Sequence, residues 1–185
     1  MIFDVKMCFT RKFRLVTGGH KTDPPKDMTY PSVVSRESVL LAFLIAALND
    51  LEVLAGDVQN AYLNAGTKER IYTIAGKEFG SNCGKRVLIV RALYGLKSSG
   101  AQWRAHMSKT LRDLGFVSSL ADPDVWLRAA KQADGSEYYE YALVYTDDLL
   151  LLSEKPILLM KSLEETYTVK PSIVSRNQRS TSAHR

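Results

Sequence analysis

Zinc has almost nothing to bind in this sequence. Its two cysteines, Cys8 and Cys83, lie far apart and outside any Cys-x-x-Cys pair, and its three histidines (His20, His106, His184) miss the His-Glu-x-x-His spacing, so no thiolate or imidazole metal centre can be argued. Cysteine this sparse also excludes a disulfide framework and points to a reducing compartment. Long apolar runs are missing as well: Val39 to Leu48 falls well short of the ~20 residues that cross a bilayer and fits a buried helix instead. Met1 to Arg14 carries charges where the apolar core of a secretory leader would stand, so none is expected. Net acidity is absent too. A formal charge of +5 and a pI near 9.2 lean toward an acidic partner such as nucleic acid. What remains is ordinary globular material, since 185 residues at 45% hydrophobic content suffice for one domain with a real core.

Along the chain, KFRLV reads as a short strand and GGHKTDPPKD (Gly18 to Asp27) as a loop. Ser35 is the expected N-cap of a helix running to about Asn49, apolar on nearly every side and therefore expected to be internal. LEVLAGDVQ then reads as a buried strand whose end carries one acid, Asp57. IYTI (Ile71 to Ile74) and RVLIVRAL (Arg86 to Leu93) are predicted strands. From Gly100 to Leu114 the period becomes helical, with Trp103, Met107, Leu111 and Leu114 in one stripe and Gly115 as the stop. DVWLRAA and YYEYALVY flank an Asp134-Gly135 turn, and Pro156 opens a helix predicted to reach Tyr167. Helices and strands mix without regular alternation, which predicts an α+β fold.

The stretch YALVYTDDLLLLSE (Tyr141 to Glu154) places Asp147 and Asp148 side by side between apolar strands, at the tip of an expected hairpin. Two readings of the residues stay open. An Asp pair in a turn is commonly just turn chemistry and solubility. Acids at the tip of a buried hairpin, however, repel each other unless a cation or hydrogen-bond donors compensate. If Asp57 converged with Asp147 and Asp148, the three would form an all-oxygen site of the kind Mg²⁺ takes.

Four segments carry a resemblance: GDVQNAYLN (Gly56 to Asn64), RALYGLKSSGAQW (Arg91 to Trp103), GFVSSLADPDVW (Gly115 to Trp126) and LVYTDDLLL (Leu143 to Leu151). In this order they resemble the reverse transcriptase of copia-type LTR retrotransposons, over about Lys12 to Lys170. The resemblance implies a polymerase palm, an antiparallel sheet packed on helices, with partial fingers over 1–36, a palm and fingers core over 37–170, and no thumb. It implies RNA-directed DNA synthesis by two-metal nucleotidyl transfer, with two Mg²⁺ ions (Mn²⁺ as the alternative) about 4 Å apart. Asp57 and Asp147 would be the bridging ligands, Asp148 a supporting acid, and the Val58 carbonyl a further ligand. Tyr62 would lie under the incoming sugar and exclude a 2′-hydroxyl, although a core tyrosine is the plainer reading. Gly95 and Lys97 would face nucleotide and phosphate, and Lys12 and Arg14 would form a basic fingers strand, unless they are simply a solvated face. Implied partners are an RNA or DNA template-primer, deoxynucleotides and the remainder of a Pol polyprotein (RNase H, integrase), with no membrane. The implied location is intracellular, in a cytoplasmic virus-like particle.

The sequence departs from that pattern at Thr146, where the family commonly has valine, and in two stretches. Ser98, Ser99 and Gly100 stand where the family has Gln-Ala-Pro, which predicts a looser helix start. Residues 171–185 lack the family's next palm segment and read as a disordered or frameshifted tail. Val174 to Arg185 can be back-translated so that a shifted frame spells EPKSTKYLGA, which fits a frameshift after Ser172. On that expectation the chain lacks primer support, its activity is impaired, and a non-catalytic nucleic-acid-binding remnant is the alternative reading.

Overall fold

The computed structural model describes residues 2–5, 9, 11–19, 32–132 and 134–175, with only the backbone described over 2–5, 11–14 and 171–175. In chain order the elements are β1 (Ile2–Val5), β2 (Arg11–Arg14), α1 (Arg36–Leu48), β3 (Glu52–Val58), α2 (Ala61–Asn64), β4 (Gly66–Ile74), a 3₁₀ segment (Lys77–Asn82) and β5 (Arg86–Arg91). There follow α3 (Ser99–Asp113), β6 (Val117–Ser118), β7 (Val125–Lys131), β8 (Glu137–Tyr145), β9 (Asp148–Ser153), α4 (Pro156–Glu164) and β10 (Val169–Ser175). The mixed α and β composition matches the expected class, and every pairing between these ten strands is antiparallel. No helix among the described residues is long and apolar enough to cross a membrane.

Two compact units interleave in sequence. One comprises the described residues of Met1–Pro31 with Asn60–Lys109, the other Ser32–Gln59 with those of Thr110–Arg185. The first holds two separate hairpins, β1-β2 and β4-β5. Its loop before α3 is braced by serines: the Ser99 hydroxyl donates to the Leu93 carbonyl at 2.7 Å and the Gln102 side-chain amide donates to the Ser98 hydroxyl at 3.1 Å. Both serines are buried. Where the missing proline predicted a looser helix start, these two hydroxyl hydrogen bonds tie the turn to its neighbours. The loop Gly18 to Asp27 lies outside the described residues from His20 onward.

The second unit is a six-stranded sheet in the order β10-β3-β9-β8-β7-β6. The period-2 alternation of its strands gives it two faces. Leu149 and Leu151 are buried, and Gly56 faces α4, where an added Cβ would stand 2.7 Å from Met160 Cε and 2.8 Å from a Val169 methyl. α4 opens on Pro156 and buries Leu159, Met160 and Leu163. It ends at Glu164 rather than Tyr167, because the chain turns to bury the Tyr167 ring, whose hydroxyl meets Thr110 Oγ1 at 2.6 Å.

On the other face, Val53, Leu143 and Leu152 join Val34, Ala42 and Ala46 in one core cluster. α1 starts where predicted, with the Ser35 hydroxyl accepting from the Ser38 N–H at 3.1 Å. Its expected internal position is overturned: only Ala42 and Ala46 are buried, while Leu40, Leu41, Leu44 and Leu48 are exposed, Leu48 at 74%. An all-apolar helix carries no stripe to say which side is covered, and here the small residues make the close contact. Residues 171–175, read from sequence as part of the tail, extend β10 along β3. Residues 176–185 lie outside the described residues.

Candidate active site

The acids lie where three strands meet. β8 and β9 pair through Tyr145 and Asp148, which leaves Thr146 and Asp147 as a two-residue loop. Thr146 has φ +56°, the left-handed region that a β-branched residue rarely enters. The Asp147 carbonyl accepts the Val58 N–H at 2.8 Å, which fastens the loop to the end of β3 and satisfies a backbone acceptor that the tight turn leaves outside the ladder.

Register completes the arrangement. Asp57 pairs directly with Asp148 across β3 and β9, and with Lys170 across β3 and β10. Directly opposed residues share a face, so Lys170, Asp57, Asp148 and Tyr145 form one row on the α1 side of the sheet. Like charges placed opposite each other are destabilising. The Asp148 carboxyl is accordingly pushed above its ordinary value, first by partial loss of water and then by the charges of Asp147 and Asp57. Beside the row lies a groove of about 270 Å³ whose wall includes Val34, Val39, Phe43 and Leu143, with Asp57 and Asp148 on its lining. Among the described residues no group of three or more His, Cys, Asp or Glu side chains stands close enough to hold a metal ion. The facing pair still fits a hard divalent cation as a donor set, because Mg²⁺ is usually held by one or two carboxylates and completes its shell with waters and substrate phosphates. Lys170 was invisible to sequence reasoning, since only the long-range β3-β10 register puts it beside Asp57.

The other residues singled out from sequence belong to the first unit. Tyr62, half-buried in α2, stacks on Tyr94 with ring centroids 4.7 Å apart and a 41° tilt. Gly95 has φ +93°, and a Cβ there would collide with the Thr17 carbonyl oxygen, so the close approach that this glycine permits within the chain is to Thr17. Lys97 is exposed in the loop ahead of α3. Lys12 and Arg14 lie in β2 opposite Asp4 and Ile2, with their side chains outside the described set. The structure thus gathers Asp57, Val58, Asp147 and Asp148 in one unit, and Tyr62, Gly95 and Lys97 in the other.

The sequence profile described as "Reverse transcriptase (RNA-dependent DNA polymerase)" matches residues 3–171. The chain is 26% identical over 166 residues to the "Retrovirus-related Pol polyprotein from transposon RE1" of Arabidopsis thaliana, covering 86% of this chain and 11% of that protein. It is 28% identical over 155 residues to the corresponding polyprotein from transposon TNT 1-94 of Nicotiana tabacum, covering 81% and 11%. To that of transposon RE2 of Arabidopsis thaliana it is 25% identical over 191 residues, covering 91% and 12%. The chain therefore spans about a tenth of the length of the curated relatives it matches. No solved structure matches.

Proposed function

Because the chain belongs to the reverse transcriptase (RNA-dependent DNA polymerase) family, we propose that its six-stranded unit carries the nucleotidyl-transfer centre of a transposon Pol polyprotein. The observation that supports this most is the in-register pairing of Asp57 with Asp148 beside the Asp147 turn, an arrangement that folding alone disfavours.

In this reading the substrates are a template-primer and deoxynucleotides. A new bond forms between the primer 3′-oxygen and the α-phosphorus as the bond to pyrophosphate breaks. Reverse transcriptases generally use divalent metals; the facing pair Asp57 and Asp148 would hold one here, and the resemblance adds Asp147 and the Val58 carbonyl as further ligands. The chemistry that such a cation would supply there is activation of the 3′-hydroxyl and stabilisation of the leaving pyrophosphate. Asp147 is presented by a loop that Val58 anchors, so its carboxylate is pre-positioned rather than recruited. Lys170, exposed in the same row, offers a cation to the phosphates. Tyr62 would select against a 2′-hydroxyl, while Gly95, Lys97, Lys12 and Arg14 would serve nucleotide and template contacts. RNase H and integrase domains of the same polyprotein would be its partners, in a cytoplasmic particle.

A second reading, a non-catalytic nucleic-acid-binding remnant, draws support from the absence of a three-carboxylate cluster among the described residues. Primer extension in Mg²⁺ separates the two. Extension that Asp147→Asn abolishes supports the polymerase; binding that weakens steeply with salt, without extension, supports the remnant.

A further inference from the structure

Val144 lies one residue before β8 enters the acid turn at Tyr145, and two distant segments grip it. Its N–H donates to the Asp124 carbonyl at 3.0 Å, and its own carbonyl accepts the Val34 N–H at 3.2 Å. Those segments are fastened to each other by two aspartates. Asp124, buried at 2% exposure, accepts the Ser32 hydroxyl. Asp122 accepts the Ser38 hydroxyl at 2.6 Å and the Ser35 N–H at 2.9 Å through one carboxylate oxygen, and the Asp124 N–H at 3.2 Å through the other. One carboxylate therefore joins the first turn of α1 to the loop before β7, and both hold the strand that presents Asp147.

We propose that Asp122 is a positioning residue for the carboxylate turn, acting through Val144 and touching neither substrate nor the acids. The idea rests on the polymerase reading above for its catalytic consequence, and on geometry alone for its mechanical one. A carboxylate at the N-terminus of α1 is favoured by the helix dipole and by three donors. Without it, segments 32–35 and 122–124 are joined through Ser32 and Asp124 alone, and the partners of Val144 that set where the turn begins are held less firmly. Displacing catalytic groups by about 1 Å lowers turnover on the order of 10²-fold, so a partial loosening is expected to lower it about tenfold. Binding of deoxynucleotide, to which Lys170 on β10 would still contribute, is expected to change less than turnover.

The test compares Asp122→Ala, Asp122→Asn and Ser38→Ala in the full chain by amide hydrogen exchange, thermal unfolding and primer extension. Exchange at Val144 to Leu149 should quicken about tenfold in Asp122→Ala, the equivalent of one lost hydrogen bond, while the distal ends of β7 and β8 stay unchanged. kcat should fall with the KM for deoxynucleotide within about twofold. Asn, whose one amide oxygen can still accept from Ser38 and Ser35 but whose NH₂ cannot accept the Asp124 N–H, should restore part of both. Ser38→Ala, the milder change, should shift exchange in the same direction if Asp122→Ala does not fold. Uniform acceleration across β7 and β8, an unchanged turn in a folded variant, or failure of Asn to rescue would overturn the proposal. A parent chain that extends no primer would remove the polymerase reading, and the exchange comparison would still decide this one.

Discussion

α1 and α4 pack on opposite faces of the same sheet and bury themselves to opposite degrees. α4 turns Leu159, Met160 and Leu163 inward against the face where Gly56 has no side chain. α1, richer in leucine, meets the sheet through Val39 and two buried alanines and leaves four leucines in solvent. The difference follows the chemistry. The α4 face is closed by buried side chains, whereas the α1 face carries Asp57, Asp148 and Lys170, charged groups that are costly to take out of water. One face sets the geometry and the other displays it.

That contrast can be broken from either side. The largest effect should come on the open face: Asp57→Asn or Asp147→Asn should lower primer extension on the order of a thousandfold, the value of several kcal/mol of lost charge stabilisation, with the fold intact by circular dichroism. On the closed face, Met160→Ala should destabilise by about 2–5 kcal/mol in urea titration, against about 0.5 kcal/mol or less for Leu44→Ala on α1. Equal losses would mean that α1 is as buried as α4. Gly56→Ala should cost about 1–3 kcal/mol by overpacking against Met160 and Val169. Asp148→Asn should move the other way, stabilising by about 0.2–1 kcal/mol as a like-charge pair is removed, while extension falls. A stability unchanged between low and neutral pH in wild type would count against that pair. The raised Asp148 value means that its ionised form is the strained one, so the strain is relieved below the ordinary aspartate pKa and develops as pH rises through the raised one. Asp122 has the opposite sign. Partial burial raises its value, but the bonds from Ser38 and Ser35 outweigh this and leave it lowered. Its contribution is present above the ordinary aspartate pKa and is lost as pH falls through the lowered one, a small acid-side loss that Asp122→Asn should erase in thermal melts.

Much of the fold was legible because its signals are local. Ser35 as a cap, Pro156 as a helix start and Asp134-Gly135 as a turn each announce themselves within a few residues. The acids were legible as residue types at a hairpin tip. Their pairing was not, since Asp57 and Asp148 meet through strand register, and register between distant strands is fixed by the whole buried face. The same holds for Lys170 and for the grip of Asp124 on Val144. The exposure of α1 escaped because uniform hydrophobicity has no phase. The interleaving of the two units escaped because β3 and the strands from β7 onward pair across the intervening hairpin of β4 and β5.

Thr146, first in the acid loop at φ +56°, inverts the usual ranking of side chains. A β-branched residue held in the left-handed region costs about 1–3 kcal/mol, so glycine, ordinarily a loss inside a hairpin strand, becomes a gain at this one position. In evolutionary terms, residue 146 is a place where drift toward stability runs through the smallest side chain. A lineage that keeps a larger one there is kept so by something other than folding, and scoring all replacements at 146 for solubility alone would separate the two pressures.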